Sequence, residues 1–218
     1  FLFLGVEKKT DWFIFVKIFS KLMPKAEQTR QYIVEKAAVL FNLKGFAGTS
    51  MEDILKATGL SKGGVYGNFQ SKEEIALQAF DFAVELVSRK VNERTRVIDN
   101  TLDKLKAVVY FYKERILNPP VEGCCPIQNT AIDADDSNET LRRRVIEVLD
   151  EWQSRIANTI EKGKQRGEVR PDADACAFAM QFIGTLEGGI MLARLYKDIH
   201  YFDAMAQQLL RLIEELKP

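Results

Sequence analysis

The stretch of residues 49–72, TSMEDILKATGLSKGGVYGNFQSK, decides the fold of the N-terminal part of this chain. Thr49 followed by Glu52 three residues later has the pattern of a capping box, which predicts that a short helix begins there. Gly59 ends this helix where a left-handed residue can turn the chain. Ser61 then predicts the cap of a second short helix, SKGGVYGNF. Two helices joined by such a turn form a helix-turn-helix, whose second helix enters the major groove of DNA.

Helix–Gly–helix pairs also occur in structural bundles, so the residues themselves carry more weight than their spacing. The run from Thr29 to Phe80 resembles the DNA-binding domain of the TetR/AcrR family of transcriptional regulators. The sequence departs from the family pattern at Gly67, where the family often carries a bulky or polar residue. The matching positions are Ala37, Phe41, Gly45, Phe46, Thr49, Ser50, Ile54, Ala57, Gly59, Leu60, Ser61, Lys62, Gly63, Val65, Tyr66, Phe69, Ser71, Lys72 and Glu73.

Eight residues are candidate DNA contacts: Thr49, Ser50, Lys62, Gly63, Gly64, Tyr66, Asn68 and Lys72. Each lysine could neutralise a phosphate, or could be an ordinary solvated side chain. The resemblance implies that Tyr66 contacts a phosphate and that Thr49 or Ser50 contacts the DNA backbone, although Thr49 could act only as a cap. Asn68 could donate to a base or a phosphate. Small residues at 63 and 64 would let the backbone approach DNA closely, at a cost in helix stability of about 1 kcal/mol for each glycine.

Composition and charge favour a soluble, cytoplasmic, specific DNA-binding protein. The 218 residues carry a net charge of zero, with 46% hydrophobic residues. Between residues 24 and 72, however, seven Lys and Arg stand against four Asp and Glu. This basic bias predicts salt-sensitive binding to DNA. No run reaches the roughly 20 apolar residues of a membrane span, so we expect no membrane partner.

The residues offer little to an enzyme or a metal site. Three cysteines provide neither a disulfide framework nor zinc spacing, and the single histidine, His200, lies near the C-terminus. Asp135 and Asp136 occupy a polar loop with no nucleophile or phosphate-binding loop nearby. We therefore expect a protein that is not an enzyme and that uses no metal or cofactor. A helical interaction protein that does not bind DNA remains an alternative.

The chain divides into three predicted segments. Residues 1–23 are aromatic-rich and lack a signal-peptide pattern; we interpret them as an extension without a role, although residues 12–22 could form a basic amphipathic helix. Residues 24–72 form the helix-turn-helix domain. Residues 73–218 form a larger helical domain, because apolar residues recur at helical spacing from 71 to about 96, 102–116, 141–167, 171–197 and 201–216. The predicted fold is therefore all-α.

The family resemblance implies that the C-terminal domain forms a homodimer and binds a small-molecule effector, which makes the protein a ligand-released repressor of a near-palindromic operator. The helices at 174–197 and 201–216 are apolar over more than one stripe, as a two-protomer four-helix bundle would require; packing within one chain is the alternative. We predict that four residues lie in the dimer interface: two glycines that permit close helix approach and two leucines that add apolar surface. These residues are Gly184, Gly188, Leu209 and Leu212.

A stripe of aromatic and flexible apolar residues, with a few polar ones, is compatible with an effector pocket, although such a stripe is also typical of plain core. Its members are Phe82, Leu86, Leu105, Val109, Tyr112, Gln128, Trp152, Ile156, Phe178, Phe182 and Leu186. Cys125 precedes Pro126 and a predicted helix. A thiol at a helix N-terminus can have a lowered pKa, so Cys125 is a candidate electrophile or redox sensor; the alternative is a small buried side chain.

Overall fold

The computed structural model describes residues 24–116 and 118–218, and within them every regular element is an α-helix, which confirms the predicted fold class. The nine helices of the described residues are α1 (Lys25–Lys44), α2 (Met51–Thr58), α3 (Lys62–Tyr66), α4 (Lys72–Thr95), α5 (Thr101–Arg115), α6 (Pro126–Ala134), α7 (Glu139–Gln165), α8 (Ala175–Tyr196) and α9 (His200–Glu214). The interpretation of residues 1–23 lies outside the described residues.

Helices α1, α2 and α3 form a small head around its own core. Ile33, Ile54 and Val65 are fully buried there, together with Ile75 from the first turns of α4. Gly59 ends α2 in the left-handed conformation, with φ of 68°. The helix-turn-helix predicted from the local sequence is therefore present, and its two helices meet over one apolar cluster.

The capping box of α2 lies one residue later than predicted. Ser50, not Thr49, is the N-cap: its side chain accepts from the amide of Asp53, whose carboxylate in turn accepts from the Ser50 amide. Thr49 is fully buried, and its hydroxyl donates to the carbonyl of Gly45 at 2.7 Å. Thr49 with Glu52 and Ser50 with Asp53 both have the spacing of a capping box. The burial of Thr49 leaves Ser50 as the cap.

Helices α5 to α9 and the second half of α4 form the body. Its core includes Val109, Phe182 and Leu186, all fully buried. Helix α8 packs against α7 on one side and α9 on the other. Among the described residues α8 alone is long and apolar enough to cross a membrane, a test that core helices of soluble proteins also pass.

Helix α4 belongs to both parts of the molecule. Its first turns bury Ile75 and Ala79 in the head, whereas Val84 and Val91 further along face the body. Ser71 caps it by accepting from the Glu74 amide at 3.1 Å. The proposed boundary between residues 72 and 73 falls at the start of this continuous helix, and it stays a prediction.

Candidate DNA-binding surface and central cavity

Helix α3 presents one exposed face and one buried face. Lys62, Gly63 and Tyr66 are exposed, with Tyr66 retaining 44% of its surface. Val65 and Phe69 point into the head core. The Lys62 amine lies 5.8 Å from the centre of the Tyr66 ring, so a charged and a phenolic donor occupy the same exposed face. Both groups can donate hydrogen bonds to phosphate oxygens.

Gly63 and Gly67 differ in what a side chain at each position would contact. A Cβ at Gly63 would meet nothing within 4 Å, so that glycine leaves an open surface at the start of α3. A Cβ at Gly67 would lie only 2.9 Å from the carbonyl oxygen of Gly63, too close for an ordinary contact. Glycine at position 67, where the sequence departs from the family pattern, therefore fits the close backbone packing at the end of α3.

Two further predicted DNA contacts are occupied by bonds within the head. The Lys72 amine donates to the carbonyls of Phe46 and Thr49 at 2.8 and 3.0 Å and lies 4.1 Å from the Phe46 ring centre. The Asn68 amide donates to the Gly64 carbonyl at 2.8 Å. Lys72 thus holds the α1–α2 connection and Asn68 closes the end of α3. The prediction that the Thr49 side chain reaches DNA is wrong, because that side chain is fully buried.

Arg30 supports the recognition helix, and sequence reasoning missed it. Its guanidinium donates to the carbonyl of Asn68 and to the carboxylate of Glu74, and it lies 4.2 Å from the centre of the Phe69 ring. One side chain of α1 therefore connects the end of α3 to the start of α4. No local pattern marks this arginine, because all three partners lie about 40 residues away.

A cavity of about 280 Å³ lies in the body between α4, α5, α6, α7 and α8. Five predicted pocket residues line it: Leu105, Tyr112, Trp152, Ile156 and Phe182. The sequence prediction missed much of the wall, including every α4 residue that contributes to it. The missed residues are Val84, Val87, Ser88, Val91, Asn92, Thr95, Arg96, Lys104, Val108, Cys125, Pro126, Ile127, Val148, Arg155 and Thr159.

Six predicted pocket residues lie elsewhere, so their assignment is corrected. Phe82 and Leu86 pack against the head core, because the cavity faces the adjacent side of α4. Gln128 donates to the carbonyl of Glu187 at 2.9 Å and lines a shallow outer groove. The other three are buried in the body core without lining the cavity: Val109, Phe178 and Leu186.

Cys125 lies in the cavity wall as the N-cap of α6, but it lacks the character of a reactive thiol. Its Sγ donates to Oε1 of Glu187 at 3.1 Å. Burial, reinforced by the nearby carboxylate, raises the pKa of this thiol well above its ordinary value. The prediction of a lowered pKa is therefore wrong, because desolvation outweighs the hydrogen bonds that the first turn of α6 offers. Burial likewise raises the pKa of the nearby Tyr112 phenol.

Glu187 is a half-buried residue whose carboxylate oxygen Oε2 is fully enclosed. Its Oε2 has no hydrogen-bond partner among the residues described, and burial raises its pKa from 4.5 to about 7. Between those values the folded protein binds more protons than the unfolded chain, so the free energy of unfolding falls as the pH rises through this window.

Glu187→Gln is therefore expected to be more stable than the parent at pH 8, by up to about 3 kcal/mol, with the difference vanishing near pH 4.5. Melting temperatures measured across this pH range test the expectation. Parallel curves for the two proteins would show that Glu187 does not titrate in the window.

Helix α6 connects the cavity to the head. The Asn129 amide donates to Oδ1 of Asn42 and to its carbonyl, both at 3.0 Å, and Oδ2 of Asp133 accepts from the amide of Phe46 at 2.6 Å. At the other end of α6, Pro126 and Ile127 line the cavity. A change at the cavity therefore has a hydrogen-bonded route to the end of α1.

The outer face of α8 is apolar and open. Gly184 and Gly188 face outward, with no atom within 4 Å of where a Cβ would stand. They lie in line with exposed Met180 and Met191. Leu209 is fully buried in the body core, so its assignment to an interface is wrong; on α9 it faces the core rather than solvent.

Comparison with known proteins agrees with this architecture. Residues 33–79 match the profile of bacterial regulatory proteins of the tetR family, and residues 101–209 match the tetracyclin repressor-like C-terminal domain. The chain belongs to the TetR family of transcriptional regulators. As a regulator of this family it binds DNA through the helix-turn-helix, and the family is not an enzyme family.

Two solved structures are similar to this TetR-family regulator over nearly their whole length. A TetR regulator from Chloroflexus aurantiacus J-10-FL has 41% identity and a TM-score of 0.84, covering 88% of this chain and 98% of its own. A TetR-family regulator from Cytophaga hutchinsonii has 34% identity and a TM-score of 0.83, covering 89% and 98%. The HTH-type transcriptional repressor DhaR of Mycobacterium sp. (strain GP1) is 23% identical over 78% of this chain and 84% of its own.

Proposed function

We propose that this regulator is a cytoplasmic homodimeric repressor, released from a near-palindromic operator by a small molecule that binds the central cavity. The supporting observation is the course of α4, which starts directly beyond the recognition helix and continues as a cavity wall at Val84 and Val87. A ligand between α4 and the body acts on the helix that carries the head. Similarity to DhaR, a named repressor, favours repression over activation.

Ser50, Lys62, Gly63, Gly64 and Tyr66 form the proposed DNA-contacting surface. Lys62 and Tyr66 donate to phosphates, and the two glycines let the start of α3 approach the groove closely. Ser50 is exposed at the N-terminus of α2, with its amide and hydroxyl bonded to the Asp53 carboxylate, and its inclusion rests on the family resemblance.

Lys72 and Asn68 act on DNA binding indirectly in this proposal. Both are bonded to backbone carbonyls of the head, so they position α2 and α3 rather than contact the operator.

The proposed dimer is a four-helix bundle of α8 and α9 from two protomers. The open stripe of Met180, Gly184, Gly188 and Met191 gives α8 a flat face for close helix approach. Half-buried Leu212 adds apolar surface from α9. A two-fold dimer would hold two recognition helices about 34–36 Å apart, so that each reads one half-site.

Release follows from differential binding. An effector that binds better to the conformation unable to span both half-sites weakens operator binding, and the operator weakens effector binding by the same factor. Helix α6 offers the second route, since it lines the cavity at Ile127 and is bonded to the head at Asn42 and Phe46. Buried Cys125, with its raised pKa, does not favour thiolate sensing as the trigger.

Footprinting tests the proposal. The purified full chain is incubated with DNA flanking its own gene across a salt series, followed by genome-wide selection of bound fragments. Protection of a short near-palindrome, lost steeply as salt rises, is expected. Failure of both experiments at low salt would contradict operator binding through α3.

Asp133→Ala is expected to weaken operator affinity about fivefold while the dimer stays intact. The Phe46 amide loses its acceptor on α6, so the head is less firmly oriented and must be ordered on binding, a cost of about 1 kcal/mol. Titration of operator DNA measures the effect, and exposed Asp136→Ala is the matched control. Unchanged affinity in Asp133→Ala would show that α6 does not position the head.

A further inference from the structure

Three cationic side chains stand at the mouth of the central cavity. Arg96 caps the end of α4, Lys104 lies in the first turn and a half of α5, and Arg155 projects from α7; all three line the cavity. Arg96 and Arg155 are exposed, which marks the opening, whereas Cys125 and Phe182 are buried and mark the inner end. No Asp or Glu of the described residues lines the cavity.

Two of these cations have no ion-pair partner within 4 Å among the described residues, although Lys104 lies close enough to Glu168 to help lower the pKa of that carboxylate. These two are Arg96, which caps the C-terminus of α4, and Lys104. Arg155 pairs with Glu151 at 3.2 Å, but both side chains are well exposed, and such pairs contribute little. Lys104 also stands near the N-terminus of α5, where the helix dipole disfavours a cation. An anion at the mouth would therefore relieve unfavourable charge.

The remainder of the cavity wall is uncharged and largely apolar, with polar side chains at Ser88, Asn92, Thr95 and Thr159. Val87, Leu105, Trp152 and Ile156 form walls with no charged group, and the inner end carries the thiol of Cys125 together with the phenol of Tyr112. A ligand that fits this arrangement has an uncharged, mainly apolar body and a single charged end directed outward. At about 280 Å³ the cavity is at the small end of the usual ligand-pocket range.

We propose, on the basis of the effector role proposed above, that the ligand is a small amphipathic carboxylate whose apolar chain or ring fills the cavity and whose anionic end meets Arg96, Lys104 and Arg155. The carboxylate accepts charge-assisted hydrogen bonds from the guanidinium and ammonium groups. Its chain replaces water against Leu105 and Trp152, which supplies the larger part of the affinity. A cationic ligand of the same length would meet three like charges at the mouth.

Isothermal titration calorimetry of the full chain with octanoate, 1-octanol and octylammonium tests the charge requirement, since the three probes share one chain length. Octanoate is expected to bind more than about tenfold tighter than octylammonium, with 1-octanol between them, and to weaken as salt rises. The double variant Arg96→Gln, Lys104→Met is expected to lose about tenfold or more in octanoate affinity and to keep its affinity for 1-octanol. Exposed Lys162→Met on α7, outside the cavity, is the control.

The outcomes separate the ligand class from the release mechanism. Octylammonium binding as tight as octanoate, or octanoate binding unchanged in the double variant, would overturn the anionic class. Octanoate binding that leaves operator affinity unchanged supports the class and contradicts effector-driven release. Operator release by an uncharged or cationic compound, with no octanoate binding, overturns the class and leaves the release mechanism standing.

Discussion

Replacing Lys62 and Tyr66 together by alanine is expected to weaken operator binding about a hundredfold. Each side chain is exposed on α3, and each is proposed to donate to a phosphate. A hydrogen bond to a charged group is worth about 1.5–3 kcal/mol, so the loss of two corresponds to roughly two orders of magnitude or more. Removal of the lysine should also reduce the slope of log affinity against log salt by about one.

Fold and assembly are expected to survive this double substitution, because neither side chain contributes to the head core. A matched control is Tyr110→Ala with Lys162→Ala: Tyr110 is also 44% exposed, and both residues lie on the body. The control should bind the operator as the parent does. Operator affinity within twofold of the parent in the α3 variant would show that this face does not contact DNA.

Phe69→Ala is expected to abolish operator binding by a different route. Phe69 is 2% exposed, packs in the head core with Val65, and supports the Arg30 guanidinium. Truncating a buried phenylalanine costs about 3–5 kcal/mol, which is a large share of the stability of so small a unit. The head should therefore loosen, and α3 should lose the surface that holds it.

Hydrogen exchange distinguishes this loss of structure from a loss of contacts. In Phe69→Ala, amide protection should fall across α1 to α3 and remain in α7 to α9. Phe178→Ala, the same change in the body core, should produce the opposite distribution. Operator affinity equal to that of the parent in Phe69→Ala would contradict the structural role assigned to this residue.

Local sequence alone determined the helix-turn-helix. Gly59 supplies a left-handed turn, and Ser61 and Ser71 supply caps three residues before the amides that they bind. Such interactions span no more than four residues, so they are readable without neighbours. The all-α class followed in the same way from apolar residues at helical spacing, and the family resemblance from the density of matching residues around the turn.

The tertiary structure decided which part of the molecule each side of a helix contacts. Phe82 and Leu86 face the head while Val84 and Val91 face the cavity, a difference of a fraction of a helical turn that depends on the helices packed around α4. Periodicity shows that a helix has an apolar stripe but does not show which partner covers it.

Charge and reactivity at the site also came only from the fold. Cys125 has the local setting of a reactive thiol, yet burial in the surrounding core and the carboxylate of Glu187, 62 residues away, raise its pKa. Arg96, Lys104 and Arg155 are unremarkable in sequence and converge only when α4, α5 and α7 meet at the cavity mouth. Capping and helix periodicity depend on residues close together in the sequence, so the sequence by itself determines them. Desolvation and electrostatic potential depend on groups distant in the chain, which only folding brings together.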